Sequence, residues 1–168
     1  MEFCKTAVFE SSRLLYRGIS QNDSEKLVRW RSSENVYKYL KNPNPISMQE
    51  HKKWYDEYYL CPHELRAIIT HKETKTDIGM VGGMVGGEAF ELSYYIGEAE
   101  NRGLGFAGEA IESMMKYVQS AVGITKFRAF IHKDNAASAA CVTKLGFICI
   151  QTEGVMDVYE FFHESNIR

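Results

Sequence analysis

The amino-acid sequence predicts an α/β domain in which about four helices flank one mixed sheet of about seven strands. Three observations carry that expectation. Apolar residues switch repeatedly between strand-like alternation and the three- and four-residue spacing of helices. Capping signals stand in front of the helical stretches. The chain has 168 residues, about one domain at ~150 residues each, and its few prolines leave no linker, so residues 1–168 are expected to form a single unit.

The elements follow in order. Leu14 to Ile19 alternates as a first strand, and Asn22, Asp23 and Ser24 offer N-caps to a helix with Leu27, Val28 and Trp30 on its apolar side. Ser47-Met-Gln-Glu50 is a capping box that opens a second helix through Trp54 to about Tyr59. Leu65 to Thr70, Ile78 to Val81 and Phe90 to Ile96 read as strands. The doubled Met-Val-Gly-Gly of residues 80–87 reads as a flexible hairpin turn, since glycine supplies positive φ where strands reverse, or as a mobile lip over a site. Leu104 to Val122 is helical, with Ala107, Ile111, Met114, Met115 and Val118 on one face. Lys126 to His132 is a strand, Ala136 to Leu145 a short helix, and Phe147 to Gln151 with Val155 to Phe162 a closing pair of strands.

Charge excludes some functions. Lys plus Arg is 20 and Asp plus Glu is 22, a formal net charge of −2, whereas nucleic-acid binders usually carry a basic excess. No nucleic-acid partner is expected. The first residues interleave charge with apolarity and lack the ~20 apolar residues of a membrane span, so a cytoplasmic protein without a membrane partner is expected. Cys4, Cys61, Cys141 and Cys149 show no Cys-x-x-Cys spacing. Reduced, mostly buried thiols and no metal are expected.

Chemistry concentrates in residues 93–111. A strand ends near Ile96, a polar loop follows, and Arg102-Gly-Leu-Gly-Phe-Ala107 opens an amphipathic helix. The first turn of a helix leaves backbone N–H groups unpaired at the positive end of its dipole, and small residues there let a phosphate approach. Arg102 adds a charged donor, and the arrangement suits a pyrophosphate. Gly103-x-Gly105-x-x-Gly108 also matches the dinucleotide fingerprint, but a polar run separates strand from glycines and too little chain follows for a doubly wound sheet. A Walker lysine is missing, because Glu109 follows Gly108.

Arg102-Gly-Leu-Gly-Phe-Ala107, followed by Asn135-Ala-Ala-Ser138 and Lys144-Leu-Gly-Phe147, resembles the GNAT acetyltransferase superfamily, and the resemblance covers nearly the whole chain. It implies the GNAT fold, with a mixed, mostly antiparallel sheet, and acetyl-CoA as acetyl donor. The backbone of Tyr95, Ile96 and Gly97 would run beside the pantetheine arm. The amides from Arg102 through Gly103, Leu104, Gly105 and Phe106 to Ala107 would hold the pyrophosphate. Asn135 and Ser138 would contact the cofactor, and Lys144 would reach a phosphate or remain a solvated helix-end lysine. Glu91 is the candidate base, in a strand where related enzymes carry a glutamate; a surface or salt-bridged Glu91 is the alternative. Val142 stands where many members carry a tyrosine as general acid, which leaves water, Ser138 or Tyr94 to reprotonate the thiolate.

The first third of the chain holds both tryptophans and a run of tyrosines, a composition that suits either a core or a stacking wall. Trp30, Arg31, His51 and Trp54 resemble the acceptor pattern of GNAT enzymes acting on amino-sugar nucleotides, with Arg31 toward a diphosphate or on a solvated helix face, and His51 toward the sugar or as an alternative base. Expected partners are therefore a small-molecule amine and, in assembly, a monomer or homodimer. The alternatives are a ribosomal-protein or other protein N-terminal acetyltransferase and a non-catalytic CoA-binding module.

Overall fold

A computed structural model describes residues 1–163. The strands are β1 (Val8–Glu10), β2 (Leu14–Gly18), β3 (Glu64–His71), β4 (Thr76–Gly86), β5 (Ala89–Ile96), β6 (Lys126–His132), β7 (Ile148–Glu153) and β8 (Met156–Phe162). The helices are α1 (Ser24–Arg31), α2 (Glu34–Tyr37), α3 (Met48–Leu60), α4 (Phe106–Val122) and α5 (Ala136–Lys144). One sheet runs in the order β1-β2-β3-β4-β5-β6-β8-β7. Every neighbouring pair is antiparallel except β5 and β6, which are parallel. The mixed, mostly antiparallel architecture is the expected one. It has eight strands and five helices among the described residues, because β1 and α2 are too short to show a periodicity of their own.

The glycine repeat is corrected. Residues 80–86 are not a turn or a lip but the second half of β4, and only the last glycine of the repeat, Gly87 at φ +63°, belongs to the reversal into β5. The glycines permit close approach between strands: a Cβ on Gly83 would lie 2.6 Å from the Phe90 ring. The long helix starts at Phe106, not Leu104, with Gly105 as its N-cap in the left-handed region at φ +81°. The cysteines are free, but none is buried: Cys4 and Cys149 are exposed, and Cys61 and Cys141 are intermediate.

Two apolar layers sandwich the sheet. Along α4, Phe106, Ala110, Ile111, Met114, Met115 and Val118 are buried, the 3.6-residue stripe packing against Leu14, Val81, Phe90 and Phe127 of the sheet. Ile111 and Met114 are fully enclosed, so truncating either to alanine costs about 2–5 kcal/mol. On the opposite face Leu27 and Trp30 of α1 join Tyr58 of α3, Ile68 and Met80 in a second cluster. Ser47 caps α3 as the sequence predicts: its Oγ accepts from the Glu50 amide at 3.1 Å, and Glu50 Oε2 accepts from the Ser47 amide at 2.7 Å.

Candidate active site

Strands β5 and β6 pair over only three positions, Phe90 with Phe127, Glu91 with Arg128 and Leu92 with Ala129. Beyond Leu92 they part, and the wedge between them opens into a cleft of about 970 Å³. Ser93 to Ile96 form one wall, Phe130 to His132 the other, and the start of α4 closes the mouth. Parallel strands share no tight turn, so each can follow its own connection once pairing stops. Glu91 stands at the vertex.

The mouth is built from backbone. The amides of Phe106, Ala107 and Gly108 open α4 and have no intrahelical acceptor, since the Glu109 amide makes the first bond, to Gly105 O at 3.2 Å. Gly105, Phe106, Ala107 and Gly108 all line the cleft, and a Cβ added at Gly103 in the loop before them would meet nothing within 4 Å. Arg13, from the turn before β2, fixes the cradle. Its Nε donates to Glu109 Oε2 at 2.7 Å, its Nη1 donates to Leu104 O at 3.0 Å, and its guanidinium lies 4.4 Å from the Phe106 ring centroid. Burial raises the Glu109 carboxyl, but hydrogen bonds from Ser11 and Arg13 outweigh it and hold the group below its ordinary value. These donors, their place on the cleft lining and the dipole fit a pyrophosphate, as in coenzyme A.

Several predicted residues have other partners. Arg102 folds back, its Nε donating to Ile96 O at 3.0 Å and its Nη2 to Gly97 O at 3.2 Å, while its amide donates to Ala99 O. Gly97 is withheld from the cleft: its amide donates to Ile78 O at 2.8 Å, and a Cβ there would lie 2.3 Å from the Trp30 ring. Asn135 caps α5, its Oδ1 accepting from the Ser138 amide at 3.2 Å, and both residues line the cleft. Lys144 is exposed at the end of α5, away from the cleft wall, and Leu104 is also exposed.

Tyr94 bridges the wedge. Its hydroxyl lies 2.6 Å from Ser138 Oγ, joining β5 to the helix that follows β6. Burial drives the Tyr94 phenol far above its ordinary value, and the Ser138 bond only partly opposes this. At the vertex, Glu91 Oε1 is 3.7 Å from Arg128 Nη1, and Arg128 Nη2 donates to Glu160 at 3.1 Å. Arg128 was not among the predicted residues, because its place beside Glu91 depends on a parallel register that no local pattern carries. Cys141 is half-buried on the cleft wall, and burial raises its thiol.

The acceptor residues divide. Trp30 is 1% exposed, donates from Nε1 to Glu98 Oε1 at 2.8 Å and belongs to the core rather than to a stacking wall. Arg31, His51 and Trp54 line a second cavity of about 270 Å³, which shares Leu40, Arg66, Ser93 and Tyr95 with the main cleft. Arg31 is engaged within the chain, its Nη1 and Nη2 donating to Asn44 O and Asn42 O, each at 2.9 Å. His51 is 2% exposed, its Nε2 has no hydrogen-bond partner, and burial lowers its pKa.

The family model for the acetyltransferase (GNAT) domain matches residues 13–148. The chain belongs to the GNAT acetyltransferase family. This GNAT enzyme is 29% identical to the uncharacterized N-acetyltransferase YoaA of Bacillus subtilis over 92% of its own length and 88% of that protein. Its fold is similar to that of spermidine N-acetyltransferase from Vibrio cholerae, solved with CoA and spermine, with a TM-score of 0.77 at 19% identity over 89% of this chain and 94% of that one. It is also similar to the ribosomal alpha-N-protein acetyltransferase RimL, solved with coenzyme A, with a TM-score of 0.79 at 16% identity over 93% and 98% of the two chains. Among the described residues of the GNAT chain, no helix is long and apolar enough to cross a membrane, and no cluster of His, Cys, Asp and Glu suits a metal.

Proposed function

We propose that this GNAT enzyme transfers the acetyl group of acetyl-CoA directly to the primary amine of a small molecule within a ternary complex, with residues 1–168 acting as one catalytic unit. The observation that carries this reading is the position of Glu91 at the vertex where β5 and β6 part. A ligand held by the amides at the start of α4 and threaded along the wedge would present its end beside that carboxylate. The solved neighbours that hold CoA support the same donor.

Acetyl-CoA, when bound, supplies a thioester carbonyl and a thiolate leaving group. The chain's residues handle the protons. An alkyl amine has a pKa near ~10.4 and arrives mostly as ammonium. Glu91, with 28% of its side chain exposed, can take that proton directly or through water. Arg128 holds the carboxylate at the vertex. Tyr94 stays protonated and can donate a hydrogen bond toward a thiolate. Full proton transfer from a phenol raised above ~10 to a thiolate whose thiol has a pKa of ~8.5 runs uphill, so Tyr94 stabilises the developing charge and solvent supplies the final proton.

The side cavity, with a volume of about 270 Å³ and a lining shared in part with the main cleft, is of a size that suits a small acceptor. Mass spectrometry of products from acetyl-CoA and a panel of amines, amino-sugar nucleotides and peptide N-termini tests this. An N-acetylated small molecule with no acetyl-enzyme is the expected result. Products confined to peptide N-termini would replace the acceptor class, and tight binding of acetyl-CoA with no product would leave a binding module.

A further inference from the structure

Beside the acetyl-transfer cleft lies the second cavity, and its wall has a particular chemistry. Two guanidiniums and one carboxylate line it, yet each is engaged within the protein. Arg31 donates to the Asn42 and Asn44 carbonyls. Arg66 pairs with the buried Glu64, Nε to Oε1 at 2.8 Å and Nη2 to Oε1 at 2.7 Å. Glu50 accepts from the Ser47 amide. The remaining wall is largely apolar or aromatic, with Trp54 stacked on Tyr58 at 5.3 Å and Tyr95 facing the shared threshold. His51 adds an imidazole that burial favours as the neutral form.

We propose that this chamber receives an uncharged, ring-bearing tail of the acceptor amine, with the amine itself standing in the main cleft near Glu91. The proposal rests on the acetyl-transfer reading and names its substrate class. Ser93, at the shared threshold, is two residues from Glu91 on the same strand face. That separation is roughly 7 Å at ~3.4 Å per residue, so a short alkyl linker would carry the nitrogen from a ring near the threshold toward the base. The volume of about 270 Å³ falls just below the ~300–1,000 Å³ of sites for drug-sized ligands, which suits one substituted ring and not a nucleotide with its sugar. Arg31 and Glu50 are each tied to backbone groups of residues 42–47, and Arg66 is paired with Glu64. Leu27, Leu40, Ile46, Trp54 and Met80 make up much of the remaining wall, so a neutral ring gains their contact without desolvating a charge of its own. The buried, unpartnered Nε2 of His51 offers a hydrogen-bonding site for one polar substituent on that ring.

The experiment compares kcat/KM of the full-length enzyme for 2-phenylethylamine and tyramine against spermidine and an amino-sugar nucleotide, with saturating acetyl-CoA. The arylalkylamines should lead by about 10-fold or more. Ile46 lines only the side chamber and is half-buried in a loop. Ile46→Trp should cut kcat/KM for 2-phenylethylamine by about 10-fold, with acetyl-CoA affinity by calorimetry as the check on folding. Trp54→Ala should raise KM for the same amine more than it lowers kcat. A preference for spermidine or the nucleotide, or an Ile46→Trp enzyme that binds acetyl-CoA and keeps its arylalkylamine rate, would overturn the chamber assignment and leave the enzyme reading standing. Acetylation of no amine despite acetyl-CoA binding would overturn both.

Discussion

The hydroxyls of Tyr94 and Ser138 meet at 2.6 Å across the wedge between β5 and α5. This contact ties together two elements that the sheet itself leaves apart, while burial keeps the phenol protonated on the cleft wall. Tyr94→Phe keeps the ring and removes the donor. The expected result is a fall in kcat of about 10²-fold, the low end for a lost hydrogen-bond donor to developing charge, with acetyl-CoA affinity changed far less. Ser138→Ala should cost less, because Tyr94 retains its hydroxyl. Single-turnover rates and calorimetry separate the two effects, and equal losses in both would assign Tyr94 to cofactor binding alone.

Glu91 and Arg128 make a second pair whose meaning depends on register. As the base, Glu91→Gln should slow transfer by about 10²–10⁴-fold while leaving acetyl-CoA affinity nearly intact. The residual rate should climb with pH as more amine loses its proton without help, toward the amine pKa of ~10.4. A pH–rate profile for wild type and variant measures this. A Glu91→Gln enzyme with unaltered kcat would remove Glu91 from the base role.

Much of this was legible in the sequence, and the exceptions share a cause. The α3 capping box, the α4 stripe and the Arg102 to Ala107 helix start are local patterns, so Ser47, Ile111 and Gly105 could be read from neighbours within a few residues. The glycine repeat was misread because local rules treat glycine as a reversal. Gly82 and Gly83 instead sit between β3 and β5, where a Cβ would strike the Leu65 and Glu91 carbonyls at 2.1 Å. Arg31, Trp30 and Arg102 are of residue types that suit a ligand, but what decides their engagement is distant in sequence or specific to the fold. Arg31 reaches the Asn42 carbonyl, Trp30 reaches Glu98, and Arg102 turns back on Ile96. Glu64 and Arg66 were the missed signal that could have been found, since two residues apart on a strand place them on one face.

Arg13 is far from the wedge in sequence, yet it anchors the α4 start through Glu109 and Leu104. Arg13→Met should weaken acetyl-CoA binding by about 10-fold, the equivalent of ~1.4 kcal/mol, by loosening the cradle without touching the wedge. The turnover number at saturating acetyl-CoA should change little. Calorimetry and kcat together check the expectation, and a drop in kcat with unchanged affinity would deny Arg13 its positioning role.

Stability in acid should depend on Asp23. It is 3% exposed and accepts from Arg17 Nη1 and Nη2 at 2.9 and 2.8 Å and from the Ser20 amide at 2.9 Å, while Arg17 also reaches Asp77 at 2.6 Å. Burial pushes the Asp23 carboxyl upward, but the Arg17 and Ser20 hydrogen bonds and the charges of Arg17 and Lys26 outweigh it, lowering its pKa to about 2. An unfolded aspartate titrates near ~3.9, so between those values the unfolded chain binds more protons and stability rises with pH. The contribution is complete above about pH 5 and disappears as pH falls toward the folded value, a loss of about 2 kcal/mol. Asp23→Asn carries no such titration. Urea unfolding followed by tryptophan fluorescence from pH 6 to pH 2 should show wild type losing about 2 kcal/mol more than the variant. Asp77 shares Arg17, so part of the difference will be coupled through that guanidinium, and an Asp77→Asn companion measures the coupled part. Parallel pH slopes for wild type and Asp23→Asn would mean that the cluster orders the α1 entry without coupling Asp23 to acid stability.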